Sequence, residues 1–136
     1  METADGKRSD QTETHELMRR ALILFMTLSF ACSAQETKAY ADVISVEVSG
    51  VDNNYTFSVG ITSPDTGCEQ YANWWEVISE DGQLIYRRIL GHSHVAEQPF
   101  VRLGGKVKID KQQVVIIRAH MNTSGYGGMG VRQFAY

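Results

Sequence analysis

Cysteine is scarce: the chain of 136 residues holds two, Cys32 and Cys68. If Cys32 belongs to a leader, Cys68 is the single cysteine of the mature chain. That excludes an internal disulfide and leaves one unpaired thiol. Positive charge is in short supply as well. The formal net charge is −3, and from Gln35 onward nine Lys/Arg face eleven Asp/Glu, so 9 − 11 = −2. Nucleic acid and anionic membrane surfaces both call for a basic patch, so neither is an expected partner. The apolar run ALILFMTLSFA falls short of the roughly 20 residues of a spanning helix, which argues against a transmembrane anchor. Beyond residue 34 there is no repeat, no low-complexity tract and no helical period. The Gly125–Gly130 loop lacks the strand–glycine–helix context of a phosphate cradle, so nucleotide binding is discounted.

The first thirty-four residues have the order of an export signal. Met18-Arg19-Arg20 is a basic start, the short apolar run follows, and Cys32-Ser33-Ala34 supplies small residues for cleavage. The expected division is therefore a lead at 1–17, unstructured or lying before the true start at Met18, a signal peptide at 18–34 and a mature domain at 35–136. Leu28-Ser29-Phe30-Ala31-Cys32 allows a second route, in which Cys32 is lipidated. Phe30 is bulky for that box and Leu28 is misplaced in it, so cleavage after Ala34 is the expectation. Either route implies an exported protein, periplasmic or extracellular.

The mature chain reads as β throughout. Tyr55, Phe57, Val59 and Ile61 alternate with Thr56, Ser58 and Gly60, the period of a strand with one buried face. Trp74, Trp75, Val77 and Ile78 form an aromatic and β-branched run. Glu80-Asp81-Gly82 then supplies turn chemistry, and Leu84 to Leu90 returns as the partner strand. Seven strands are expected, at 43–48, 55–62, 73–79, 84–90, 100–109, 114–121 and 131–135, with a break near Gly104-Gly105. Short strands at this spacing predict an immunoglobulin-like antiparallel β-sandwich, with a closed barrel as the alternative.

Antiparallel succession brings the loops at 63–72, 91–99 and 122–130 to one pole, where the unusual residues collect. They include Asp65, Cys68 and Tyr71 in the first loop, His92, His94 and Glu97 in the second, and Tyr126 in the third, just after His120 and Met121. Three imidazoles with Cys68 or Met121 nearby would suit copper or zinc. The same histidines would equally serve as hydrogen-bonding groups in a structural polar network. Cys68 beside a histidine could be a nucleophilic pair, although no motif supplies an orienting group or an oxyanion hole. Trp74 and Trp75 must project to opposite sides of their sheet. One ring belongs to the core, and the other covers the outer face or offers a platform to a ligand. Tyr71, Trp74, Glu97 and Tyr126 are the contacts expected of a metal-free recognition module.

QYANWWEVISEDGQLIYRRIL and VVIIRAHMNTSGY resemble the desulfoferrodoxin and superoxide reductase sandwiches over roughly residues 63–128. The likeness lies in strand residues. It implies an immunoglobulin-like fold with a functional pole, and the family's iron centre would imply a redox enzyme. Its ligands are not retained: Gln70 and Ser124 stand where that family has histidines, and Met121 where it has the cysteine. The whole chain also resembles small exported bacterial proteins bearing GHSHVxEQPF and RAHMNxxGYGG. The expectation is thus an exported β-sandwich with a histidine-rich pole, metal-binding or else a recognition module.

Overall fold

A computed structural model describes residues 39–135. The leader, Cys32 and the proposed division at 17 and 34 lie outside the described residues. Seven strands follow in order: β1 (Asp42–Val51), β2 (Asn54–Thr62), β3 (Ala72–Ser79), β4 (Leu84–Ile89), β5 (Phe100–Val107), β6 (Val114–Met121) and β7 (Val131–Phe134). They form two antiparallel sheets, ordered β1-β2-β5 and β4-β3-β6-β7. This is the expected β-sandwich, and the barrel alternative falls because β4 and β5 share no ladder. The Arg88 side chain crosses that seam instead, its Nε donating to the Leu103 carbonyl at 3.1 Å.

The alternation that identified the strands also decides which face each residue occupies. In β6, Val115, Ile117, Ala119 and Met121 are buried, while Val114, Ile116, Arg118 and His120 between them are half-buried on the outer face. In β3, Trp75 and Val77 are wholly inside the core. Trp74 and Glu76 therefore point outward, since successive strand residues take opposite faces. The β3–β4 register sets Ile89 opposite Trp74 and Arg87 opposite Glu76. The β3–β6 register sets His120 opposite Trp74 and Arg118 opposite Glu76. Two cross-strand rows result: Ile89–Trp74–His120 and, below it, Arg87–Glu76–Arg118.

One expectation fails in a readable way. The break near Gly104-Gly105 does not occur; β5 runs through both residues, with an irregular register opposite Tyr55 and Phe57. Gly104 is there for packing, since a Cβ would come within 2.5 Å of the Trp75 ring and 2.9 Å of the Tyr86 ring. Its lack of a side chain makes room for the largest core residue.

Candidate functional site

The three polar loops do meet at one pole, and Asp65 joins two of them. Its side chain is fully buried. Oδ1 accepts from the Ser63 hydroxyl at 2.7 Å and the Ala72 amide at 2.9 Å; Oδ2 accepts from the His94 amide at 2.8 Å. Gln98 adds bonds to Ser63 and to the His94 carbonyl. Asn122 and Tyr71 tie the third loop in by reciprocal bonds, with Tyr71 N donating to Asn122 Oδ1 and Asn122 N to the Tyr71 carbonyl. His94 closes this end of the core, stacked on Phe100 at 3.9 Å between centroids, and its Nδ1 has no hydrogen-bond partner. Burial, then the positive charges of Arg102 and His92, hold its pKa below the ordinary histidine value, with Asp65 and Glu97 opposing them.

A second cluster occupies the outer face of the four-stranded sheet. Glu76 is 1% exposed although it points away from the core, because three side chains cover it. Arg87 donates from Nε and Nη2 to Glu76 Oε2 at 2.9 and 2.7 Å. Arg118 reaches Oε1 from the other side, with Nε at 2.9 Å and Nη2 at 2.8 Å. Burial alone would raise the carboxyl pKa; hydrogen bonds from Tyr126, Arg87 and Arg118 outweigh it and hold the group below the usual carboxylate value. Charge-assisted forks of this kind are the strong class of hydrogen bond.

Aromatic rings extend the cluster. The His120 ring stacks on Trp74 at 3.7 Å and 8°, and the Arg87 guanidinium lies 4.4 Å from the same indole. Trp74 thus stands between a cation from one flanking strand and an imidazole from the other. The Trp74 Nε1–H donates to the Tyr126 hydroxyl at 3.0 Å, and the Arg118 guanidinium covers the Tyr126 ring at 3.8 Å. His120 Nδ1 is 2.7 Å from Asn73 Oδ1. Burial lowers the His120 pKa, Glu76 opposes this, and Arg87 and Arg118 add to it, so the imidazole is favoured in its neutral form. Two guanidiniums against one carboxylate leave a net positive, rigidly held aromatic surface on an acidic domain.

The predicted residues therefore divide between two places. His92 and His94 come together, with ring centroids 4.6 Å apart, and Glu97 lies nearby, paired with Arg102 at 2.8 Å. His120 is not with them: it faces outward among Trp74 and Tyr126, while His94 is buried against Phe100. Met121 points into the core, opposite to His120, and Cys68 is exposed. Among the described residues no three His, Cys, Asp or Glu side chains are placed to hold a metal ion. The three positions where the resembled family has ligands are occupied otherwise. Gln70 donates to the Pro64 carbonyl, Met121 is core, and the Ser124 hydroxyl donates to the Ala39 carbonyl. Sequence reasoning missed Glu76 and Arg118 as a unit. The available signal was a charge of each sign in the middle of otherwise apolar strands, WWEVI and VVIIRAHM.

The domain is thus an antiparallel β-sandwich with a polar pole and, beside it, an aromatic–arginine face. No family model and no solved structure matches the chain. A protein of Halomicrobium mukohataei named "Putative lipoprotein" is 33% identical over 125 residues, which covers 91% of this chain. The chain spans about half, 52%, of the length of that relative.

Proposed function

We propose that this is an exported, non-catalytic recognition domain whose contact surface is the outer face around Glu76. The observation that carries the reading is the half-exposed stack of Arg87, Trp74 and His120, with Tyr126 set edge-on to it. Aromatic and arginine side chains fixed before a partner arrives lose little freedom on binding, and they are the residue types that dominate binding hot spots. A scaffold that needed only stability would gain little from leaving them half open to water. The test is a screen of immobilised peptides and glycans against the wild-type domain and Tyr126→Ala. A ligand that binds the wild type and is lost at least tenfold in the variant is expected. No ligand, or ligands indifferent to Tyr126, would end the reading.

Export rests on the Met18–Ala34 pattern, and the relative's printed name supports the lipid route through Cys32. The domain would then be held at a membrane surface by its acyl chains. Mass spectrometry of the protein recovered from membranes is expected to show a lipid adduct on an N-terminal Cys32. A soluble species beginning at Gln35 would restore plain cleavage, and a mass retaining residues 1–17 would remove both routes.

A metal at the pole is a second reading, favoured by the His92–His94 pair and the unpartnered Nδ1 of His94. It would be a two-imidazole site for copper or zinc, completed by water, without His120, Met121 or Cys68. A redox centre of the superoxide reductase kind is less well supported, because Gln70, Met121 and Ser124 have structural partners.

A further inference from the structure

We infer that the outer face binds an acidic peptide segment, whose carboxylates pair with the unused N–H edges of Arg87 and Arg118. This rests on the reading of that face as a recognition surface, and it adds the class of ligand.

The donor count comes first. A guanidinium carries five N–H groups. Arg87 and Arg118 each direct Nε and Nη2 at Glu76, and the Nη1 group of neither takes part in a hydrogen bond among the described residues. No second carboxylate among the described residues pairs with either fork. Both side chains are 37% exposed, so the remaining edges reach water while Glu76 is sealed beneath them. One carboxylate fixes both guanidiniums, so a second oxyanion arriving from solvent meets donors already in position. It also meets a net positive charge, since Glu76 cancels only one of the two.

The surroundings favour a peptide over an acidic saccharide. A sugar ring gains most from a bare aromatic face, and the Trp74 ring is already engaged by His120 and Arg87. The exposed neighbour in the same cross-strand row is apolar instead: Ile89 is 57% exposed beside Trp74. Phe134, 43% exposed on β7, lies further along the same sheet, opposite Val114 and past the Arg132–Glu80 pair. Apolar side chains next to the acidic residues of a peptide would cover these; hydroxyl groups would not. Arg132 is paired with Glu80 and adds no free charge, which leaves Arg87 and Arg118 as the cationic contacts of the face.

The test uses fluorescence anisotropy with a fluorescein-labelled peptide of alternating glutamate and leucine. The same peptide with glutamine for glutamate and an unlabelled oligogalacturonate serve as the other arms. Binding of the glutamate peptide is expected, weakening as salt screens the attraction, with none of the glutamine peptide. Arg87→Lys and Arg118→Lys keep the charge and the Glu76 pair but lose the planar fork, so each should weaken binding about tenfold. Their circular dichroism confirms that the fold is kept. Unchanged affinity in both variants, or no binding of the glutamate peptide, overturns the inference. So does a preference for oligogalacturonate in the wild type, which needs no variant. If a neutral ligand from the screen depends on Tyr126 while the acidic peptide fails, the recognition surface stands and only this ligand class is lost.

Discussion

Replacing Arg87 and Arg118 together by alanine will lower the stability of the domain by about 2–3 kcal/mol, the loss of the charge-assisted hydrogen bonds to Glu76 and of the arginine stems packed over it. Glu76→Gln will cost distinctly less. The carboxylate is 1% exposed and each guanidinium side chain 37%. Without the arginines, Glu76 is uncovered and can take water, but it loses the charge-assisted hydrogen bonds of both guanidiniums, and Trp74 and Tyr126 lose the cations packed on their rings. Without the carboxylate, the arginines turn outward and rehydrate. Glutamine keeps the volume and still accepts one hydrogen bond. The pH dependence runs in a fixed direction. Because the folded pKa of Glu76 lies below its ordinary value of 4.5, its contribution is present above 4.5 and is lost as the pH falls through the lowered folded value. Urea denaturation of the three proteins at neutral pH and under acid conditions measures both points. A Glu76→Gln variant less stable than the double alanine variant would show that the arginines are the buried partners, contrary to the geometry.

Asp65→Ala will cost about 3 kcal/mol or more, because it strands the buried amides of Ala72 and His94 and the hydroxyl of Ser63. Each unsatisfied buried donor is worth about 1–3 kcal/mol. Asp65→Asn separates the components. Its amide can keep the oxygen toward Ser63 and Ala72, but it then presents N–H groups to the His94 amide, donor against donor. Hydrogen exchange in residues 91–99 should accelerate in both variants, while the β3–β6 ladder stays protected in the asparagine form. A loss under about 1 kcal/mol in Asp65→Ala, with residues 91–99 still protected, would mean that other bonds hold the pole.

The strands and the meeting of three loops were legible because both depend on local periodicity and on the up-and-down order of antiparallel strands. Tyr55, Phe57, Val59 and Ile61 announce their buried face, and Gly82, at φ 88°, marks the hairpin turn that places Trp74 opposite Ile89. The site was less legible because it depends on register across strands far apart in sequence. Glu76 meets Arg118 across 42 positions, and Trp74 meets Tyr126 across 52. The pole gathered all three histidines in projection, yet one step of strand alternation sets His120 outside and Met121 inside. His94 went the other way, drawn over the core end by its amide bond to Asp65 and its stacking on Phe100. Nothing local distinguishes an imidazole that will cap a core from one that will stack on a surface indole. The role of Gly104 was hidden for the same reason, since its neighbour Trp75 belongs to the other sheet.

The most direct test of a recognition role is to locate a bound ligand by nuclear magnetic resonance, following side-chain N–H signals of the isotope-labelled domain. Trp74 Nε1–H and the Nε–H groups of Arg87 and Arg118 each have one identified acceptor, Tyr126 or Glu76. Each therefore reports on one corner of the face. On titration with the ligand selected by the screen, these three signals and the backbone amides of residues 74–76 and 118–126 are expected to move together and saturate at one concentration. Shifts confined to His92, His94 and Cys68, with the indole and guanidinium signals unmoved, would contradict a binding role for the outer face and return the function to the pole.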